Sequence, residues 1–241
     1  MTGASIDLKS VAFRYSDTAG VLDMQFDLAV PAGALLAVIG PSGAGKSSLL
    51  SLIAGFDRPA SGRILIGGRD VGADSPAHRP VSMLFQDHNL FAHLDLWTNV
   101  ALGISPRLRL DAAQRAEIAM ALERVGLAGL ARRLPRDVSG GERQRAALAR
   151  ALVRKRPVLL LDEPFAALGP GLRAAMLHLV QALQRETGIT IVMVTHAPED
   201  ARAIADLTAF LDAGRFAAIR PTAELLAAKD IPQLAEYLGE S

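Results

Sequence analysis

Short aliphatic blocks, separated by glycine, proline and charged residues, set the rhythm of this chain. Leu35–Ile39, Val158–Leu161 and Ile189–Val194 are near-continuous apolar runs of strand length. Such runs suit a parallel sheet covered on both faces, because both sides of each strand must then be apolar. Helical spacing lies between them. Lys46–Ala54 reads as a helix stopped by Gly55. Leu172, Met176, Leu179 and Leu183 recur at helical intervals, and Gly188 stands where a left-handed C-terminal cap belongs. Strand, helix and strand in alternation predict an α/β domain.

The start of the chain is patterned differently. Ile6–Tyr15, Val21–Val30 and Arg63–Val71 are short strand candidates, and Gly67-Gly68 suits a hairpin turn within the last. An antiparallel β portion attached to the parallel sheet is expected. From about 87 to 155 the chain reads as helical. Asp111 with Gln114 makes a capping-box pattern before Ala112–Val125, and Ser139 with Glu142 makes another before a helix running to about Lys155. The expected organisation is one unit over residues 1–241. Its α/β core comes from 1–86 and 156–241, with a helical subdomain inserted over 87–155.

Composition then narrows the function. In 241 residues half are apolar, which excludes a disordered chain. Cysteine is absent, which excludes a disulfide scaffold and a thiolate metal site. The 26 basic and 25 acidic residues leave a net charge of +1, so no global charge marks a nucleic-acid partner. No run approaches the roughly 18 apolar residues of a membrane span. The first ten residues, MTGASIDLKS, lack the basic and apolar regions of a signal peptide.

The chemistry concentrates at two strand ends and one further helix start. Gly40-Pro41-Ser42-Gly43-Ala44-Gly45-Lys46-Ser47, continuing to Ser48, fits the phosphate-binding pattern G-x-x-x-x-G-K-[ST] between a strand and a helix. Glycines let backbone N–H groups approach phosphate oxygens, and the helix N-terminus adds partial positive charge. Lys46 is then expected on the β- and γ-phosphates and the Ser47 hydroxyl on Mg²⁺. Asp162 and Glu163 close the Val158–Leu161 strand. Asp162 suits Mg²⁺ at the C-terminal edge of an open sheet, and Glu163 suits a general base for water. Ser139, Gly140 and Gly141 place a hydroxyl and backbone donors at another helix start, a second anion site.

Together these motifs resemble the nucleotide-binding subunits of ABC transporters, in the family's order over nearly the whole chain. The resemblance implies a phosphate-loop ATPase (RecA-like) core with an antiparallel β subdomain and an inserted helical subdomain. It implies ATP and Mg²⁺ as ligands. Tyr15 falls where the family stacks adenine. Gln86 resembles the glutamine that touches Mg²⁺ or water and senses the membrane partner. Ser139-Gly140-Gly141-Glu142-Arg143-Gln144 resembles the signature that caps the γ-phosphate held by a second copy. His196, after Thr195, resembles the histidine that contacts that phosphate. The implied partners are a second copy arranged head to tail, a transmembrane permease and, indirectly, a solute-binding protein, with no nucleic acid. The implied location is the cytoplasmic face of the inner membrane. The long C-terminal regulatory domain of many sugar-importer relatives is not expected, since the chain reaches Ser241 soon after the core.

Two departures stand out. The signature begins with Val138 rather than Leu and carries Glu142 where Gln is usual. After Glu163-Pro164 the family typically reads Ser-Ala-Leu-Asp, whereas this chain reads Ala166-Ala167-Leu168-Gly169. The expected consequence is slower or less tightly coupled hydrolysis. A nucleotide-dependent switch with little turnover is the alternative, and a soluble relative acting on DNA or ribosomes is a further one. Within the family, Arg79–Gln86, Asn89–His93 and Gly103–Leu110 resemble the ATPase subunits of thiamine importers. Another small solute remains open. Asn89–Val100, with Phe91 and Trp97, is the candidate groove for the permease. The nine basic residues between Arg132 and Arg156 read mainly as a solvated helix face.

Overall fold

The computed structural model describes residues 2–17, 20–85 and 89–239. Gln86 lies outside the described residues. The first strands are β1 (Ile6–Asp17), β2 (Gly20–Val30) and β3 (Leu35–Ile39), and helix α1 (Lys46–Ala54) follows. Then come β4 (Ser61–Ile66), β5 (Arg69–Asp70) and β6 (Val81–Leu84). Three helices, α2 (Leu96–Ala101), α3 (Ala112–Arg124) and α4 (Gly140–Leu152), precede β7 (Val158–Asp162). The chain continues through α5 (Pro170–Thr187), β8 (Thr190–Val194) and α6 (Pro198–Ile204). It finishes with β9 (Leu207–Asp212), β10 (Arg215–Pro221), α7 (Thr222–Leu226) and α8 (Pro232–Leu238).

The strands lie in the order β5-β4-β1-β2-β10-β9-β3-β8-β7-β6. From β9 to β6 every neighbour is parallel, and β5-β4-β1-β2 are antiparallel. The aliphatic runs explain the centre. Every residue of β3 and β8 is buried. Leu36 and Val38 pack toward Leu49 and Leu50 of α1. Leu35 joins Leu148 of α4 and Val180 of α5. Ala37 and Ile39 pack with Ala201, Leu225 and Leu234 of α6, α7 and α8. Alternation along one strand thus binds several helices to one sheet. The helices α2, α3 and α4 share their own core of Leu96, Val100, Ile118, Leu122 and Ala149.

Local signals act as read. Gly55 and Gly188 adopt left-handed conformations at the ends of α1 and α5. Both capping boxes form, Asp111 with Gln114 and Ser139 with Glu142. Gly67-Gly68 turns the chain so that Ile66 pairs with Arg69. One boundary and one helix face differ. Helix α4 stops at Leu152 rather than near Lys155, whose φ of 51° is left-handed. The buried face of α5 is Met176, Leu177, Val180 and Leu183, while Leu172 is exposed. The first turn of α5 overhangs the signature helix instead. A Cβ on Gly141 would come within 2.3 Å of the Leu172 Cδ2.

Arg79 is fully buried, and its guanidinium serves the C-terminal end of α1. It donates to the Leu52 and Ile53 carbonyls at 2.5 and 2.9 Å, and to Gly72 and Asp74 carbonyls. Burial pushes its pKa down, against the pull of Asp74 and Asp70. Replacing it with an apolar side chain removes the side-chain donor from the Leu52 and Ile53 carbonyls, and the first keeps only the Gly55 N–H at 3.3 Å. Arg79→Met is expected to cost roughly 3 kcal/mol, read as a lower urea midpoint with an unchanged slope.

Candidate active site

The phosphate loop leaves β3 and opens α1. Gly40, at φ 150°, passes so close to β9 that a Cβ would lie 2.0 Å from the Leu211 carbonyl oxygen. Gly45, at φ 102°, is the residue before α1, and no side chain caps that helix. Its N-terminal N–H groups are therefore available to an anion. Lys46 arches back over the loop and donates to the Gly40 and Pro41 carbonyls at 2.8 and 2.7 Å. An ammonium has three donors, so one remains for a phosphate oxygen. Burial lowers its pKa, and Glu163 and Asp162 oppose that shift.

Beside the loop, β7 and β8 end level, with Asp162 opposite Val194. Asp162 Oδ1 accepts a 3.4 Å hydrogen bond from the Ser47 hydroxyl. Burial, then the neighbouring Glu163 charge, raises the Asp162 pKa above the usual carboxylate range. Glu163 turns out of the strand at φ 44°, and its N–H reaches the Val194 carbonyl at 3.1 Å. A left-handed backbone at a non-glycine residue costs about 1–3 kcal/mol and clusters at functional sites. The turn brings the Glu163 carboxylate into direct contact with His196 Nε2.

These groups line one cavity of about 560 Å³, with Tyr15, Ser42, Gly43, Gly45, Lys46, Ser47, Ser48, Asp162, Glu163 and His196 on its wall. Tyr15 is 46% exposed at the mouth. Gly40, Pro41 and Ala44 do not line it but shape the loop. Gly40 and Pro41 hold Lys46, and the buried Ala44 accepts a backbone bond from Gly214. Ser139, Gly140 and Gly141 are also not on that wall and open α4 elsewhere. There the Glu142 carboxylate accepts from the Ser139 N–H at 2.7 Å and from its hydroxyl at 2.8 Å. The Ser139 backbone bond draws the Glu142 pKa down. Gly169 precedes α5 in an extended conformation without a side-chain cap, and a Cβ there would meet nothing within 4 Å.

The Asn89–Val100 stretch is divided between core and surface, with Phe91 exposed. Leu96 and Val100 belong to the helical core, and Trp97 sits under Arg132 with the guanidinium 5.3 Å from its ring. A groove of about 750 Å³ runs between Phe56, Met83 and Phe85 on one side and Leu102, Ile104 and Val153 on the other. Arg154 and Arg156 stand on its rim. Nor are all the basic residues solvated. Arg143 donates to the Pro135 and Val138 carbonyls, Arg145 to Val125 and Arg150 to Asn89.

Several groups at the site carry no motif. Met24, Phe56 and Asp57 complete the cavity wall. Arg173 grips the buried Asp200 with two bonds of 2.7 and 2.6 Å, and Asp200 accepts a 2.7 Å bond from Thr195, beside His196.

A parallel sheet carrying a phosphate loop, an acid pair and a histidine in one cavity defines a nucleotide-hydrolysing cassette. The family model described as ABC transporter matches residues 24–166, and this chain belongs to that family as an ATP-hydrolysing subunit. It is 52% identical over 239 residues to the thiamine import ATP-binding protein ThiQ of Rhizobium meliloti, covering 99% of each chain. It is 59% identical over 220 residues to that of Cereibacter sphaeroides, covering 91% of this chain and 95% of the relative. Among solved structures it resembles a dimeric ATP-binding cassette in a post-hydrolysis state bound to ADP and Pi. That match has a TM-score of 0.80 and 28% identity, covering 90% of this chain and 98% of the other. It also resembles cbiO1 from Clostridium perfringens, part of the ABC transporter complex cbiONQ. Here the TM-score is 0.82 with 26% identity, covering 96% and 94% of the two chains. No helix among the described residues is long and apolar enough to cross a membrane.

The raised Asp162 pKa means that the folded chain holds this proton more tightly than the unfolded chain does. Stability of the nucleotide-free protein therefore falls as pH rises from the ordinary aspartate range through the raised value, and the loss persists at neutral pH. Asp162→Asn removes that penalty. Its melting temperature at pH 7 is expected to rise above that of the parent. Calorimetry at pH 4 and pH 7 checks that the gain is confined to the higher pH.

Proposed function

We propose that this chain powers thiamine import by binding ATP with Mg²⁺ between two head-to-tail copies and hydrolysing it at the Glu163–His196 pair. The observation that carries the hydrolysis is the convergence of phosphate loop, Asp162, Glu163 and His196 on one cavity. The solute rests on the relatives named above, whose likeness runs almost end to end.

In this reading Tyr15 stacks on the adenine at the cavity mouth. The loop N–H groups and Lys46 hold the phosphates. The Ser47 hydroxyl and the Asp162 carboxylate present two hard oxygens facing each other, a donor set suited to an ion that takes its remaining ligands from phosphates and water. Bound there, Mg²⁺ would supply charge neutralisation on the β- and γ-phosphate oxygens, and the family resemblance assigns Gln86 to the same ion. Glu163 takes a proton from the attacking water as its oxygen bonds to the γ-phosphorus and the bond to ADP breaks, releasing ADP and phosphate. His196 holds the Glu163 carboxylate and faces the γ-phosphate. The partner copy's Ser139, Gly140 and Gly141 cap that phosphate. Their position off the cavity wall suits a role in a neighbour's site.

Transport follows if ATP closes two copies together and hydrolysis releases them. The permease is received in the groove between Phe85 and Ile104, which joins the nucleotide cavity through the shared wall of Phe56, Met83 and Phe85. The chain then works on the cytoplasmic face of the membrane, with a solute-binding protein acting through the permease. Slower hydrolysis fits Gly169, which supplies no carboxylate at the end of its loop.

The test is ATP hydrolysis by the chain assembled with its permease, with and without thiamine-loaded binding protein. Glu163→Gln is expected to lose about 10²–10⁴ of the turnover while still binding ATP, and thiamine is expected to stimulate the parent only. Gly169→Asp is expected to raise turnover in the same assay. Glu163-dependent hydrolysis indifferent to thiamine removes the solute. Bound ATP without Glu163-dependent hydrolysis replaces the enzyme with a nucleotide switch, the reading that the Glu142 carboxylate on Ser139 favours.

A further inference from the structure

The peptide that carries His196 is held from several directions. The Thr195 N–H donates to the Val38 carbonyl at 3.1 Å. The Thr195 hydroxyl donates to Asp200 and accepts from the Ala197 N–H at 3.2 Å. On the C-terminal side of the chain, Tyr237 of α8 donates its hydroxyl to the His196 carbonyl at 2.8 Å.

Tyr237 is itself well anchored. Its ring packs on Phe210 with centroids 5.6 Å apart, and Phe210 pairs with Ile39 at the end of β3. Leu234, one helical turn earlier, is fully buried against β3 and β9 residues. Burial pushes the phenol above its usual range, with the Gly40 backbone pulling the other way, so the hydroxyl stays protonated and remains a donor. The side chain therefore ties the His196 peptide to Phe210 of β9, which pairs with Ile39 at the end of the strand that leads into the phosphate loop.

We propose that Tyr237 is a positioning residue for ATP hydrolysis, its hydroxyl fixing the His196 peptide against the β3–β9 end of the sheet so that the imidazole stays aimed at Glu163. An imidazole turns about its own backbone, so fixing the peptide plane limits where Nε2 can point. The α8 helix thereby becomes part of the catalytic support rather than a cap on the sheet. This rests on the assignment of Glu163 and His196 to hydrolysis.

Tyr237→Phe is the sharp variant, because it keeps the ring on Phe210 and removes only the hydroxyl. In the assembled transporter its kcat is expected to fall roughly three- to tenfold, the range of one lost hydrogen bond. The KM for ATP and the melting temperature should stay close to those of the parent. In a His196→Ala background the same substitution should have no further effect, whereas a general structural role would subtract equally from both backgrounds. A Tyr237→Phe enzyme with parental kcat overturns the inference while leaving the site intact. So does an equal loss in the His196→Ala background. If Glu163→Gln and His196→Ala both hydrolyse ATP at the parental rate, the site assignment falls and the inference falls with it.

Discussion

Two parallel strands that end level are the constraint on which the site depends. The pairing of β7 with β8 sets Asp162 opposite Val194. From that one register, Glu163 reaches the Val194 carbonyl and His196 reaches the Glu163 carboxylate. Side chains alternate with a period of two, so a slip of one residue would turn Asp162 to the other face and part the acid from the histidine. Complete burial of β8 makes such a slip costly, because it would exchange the faces on which Val192 and Val194, and Ile191 and Met193, are packed. The precision of the chemistry is thus inherited from the hydrophobic core.

The core also offsets what the site costs. Adjacent carboxylates, a buried lysine, a left-handed glutamate and an uncapped helix all disfavour the folded chain locally. Each has a use once a polyphosphate is present. The same N–H groups, ammonium and paired oxygens that are imperfectly satisfied by protein are complementary to phosphate and a hard cation. A destabilised site on a fully buried sheet is the expected trade between stability and activity.

What could be read from the residues alone follows from how each feature is encoded. The phosphate loop, the two capping boxes, Gly55, Gly188 and the Gly67-Gly68 turn are local, so neighbouring residues specify them completely. The alternation of buried runs with helices likewise disclosed the parallel core. Leu172 misled because period alone does not reveal that the first turn of α5 leaves the sheet for Gly141. The part played by Asn89–Val100 was not legible, because an apolar stretch looks the same whether it lines a groove or fills a core, and here Leu96 and Val100 fill the core of α2, α3 and α4. Tyr237 stood out in no pattern, since its contact with His196 spans 41 residues. The Arg173–Asp200 pair spans 27, and only packing of α5 against α6 brings it together.

In the proposed dimer each nucleotide is shared, with Glu163 from one copy and Ser139 from the other. Mixing two disabled chains tests it most directly. One carries Glu163→Gln and the other Gly140→Asp, each silent by itself. If the sites are shared, a mixed pair contains one intact site, Glu163 of one chain facing Ser139–Gly141 of the other, and phosphate release returns on mixing. If both motifs serve the same copy's nucleotide, every chain in the mixture is defective and the mixture stays as silent as its components, which would contradict the account.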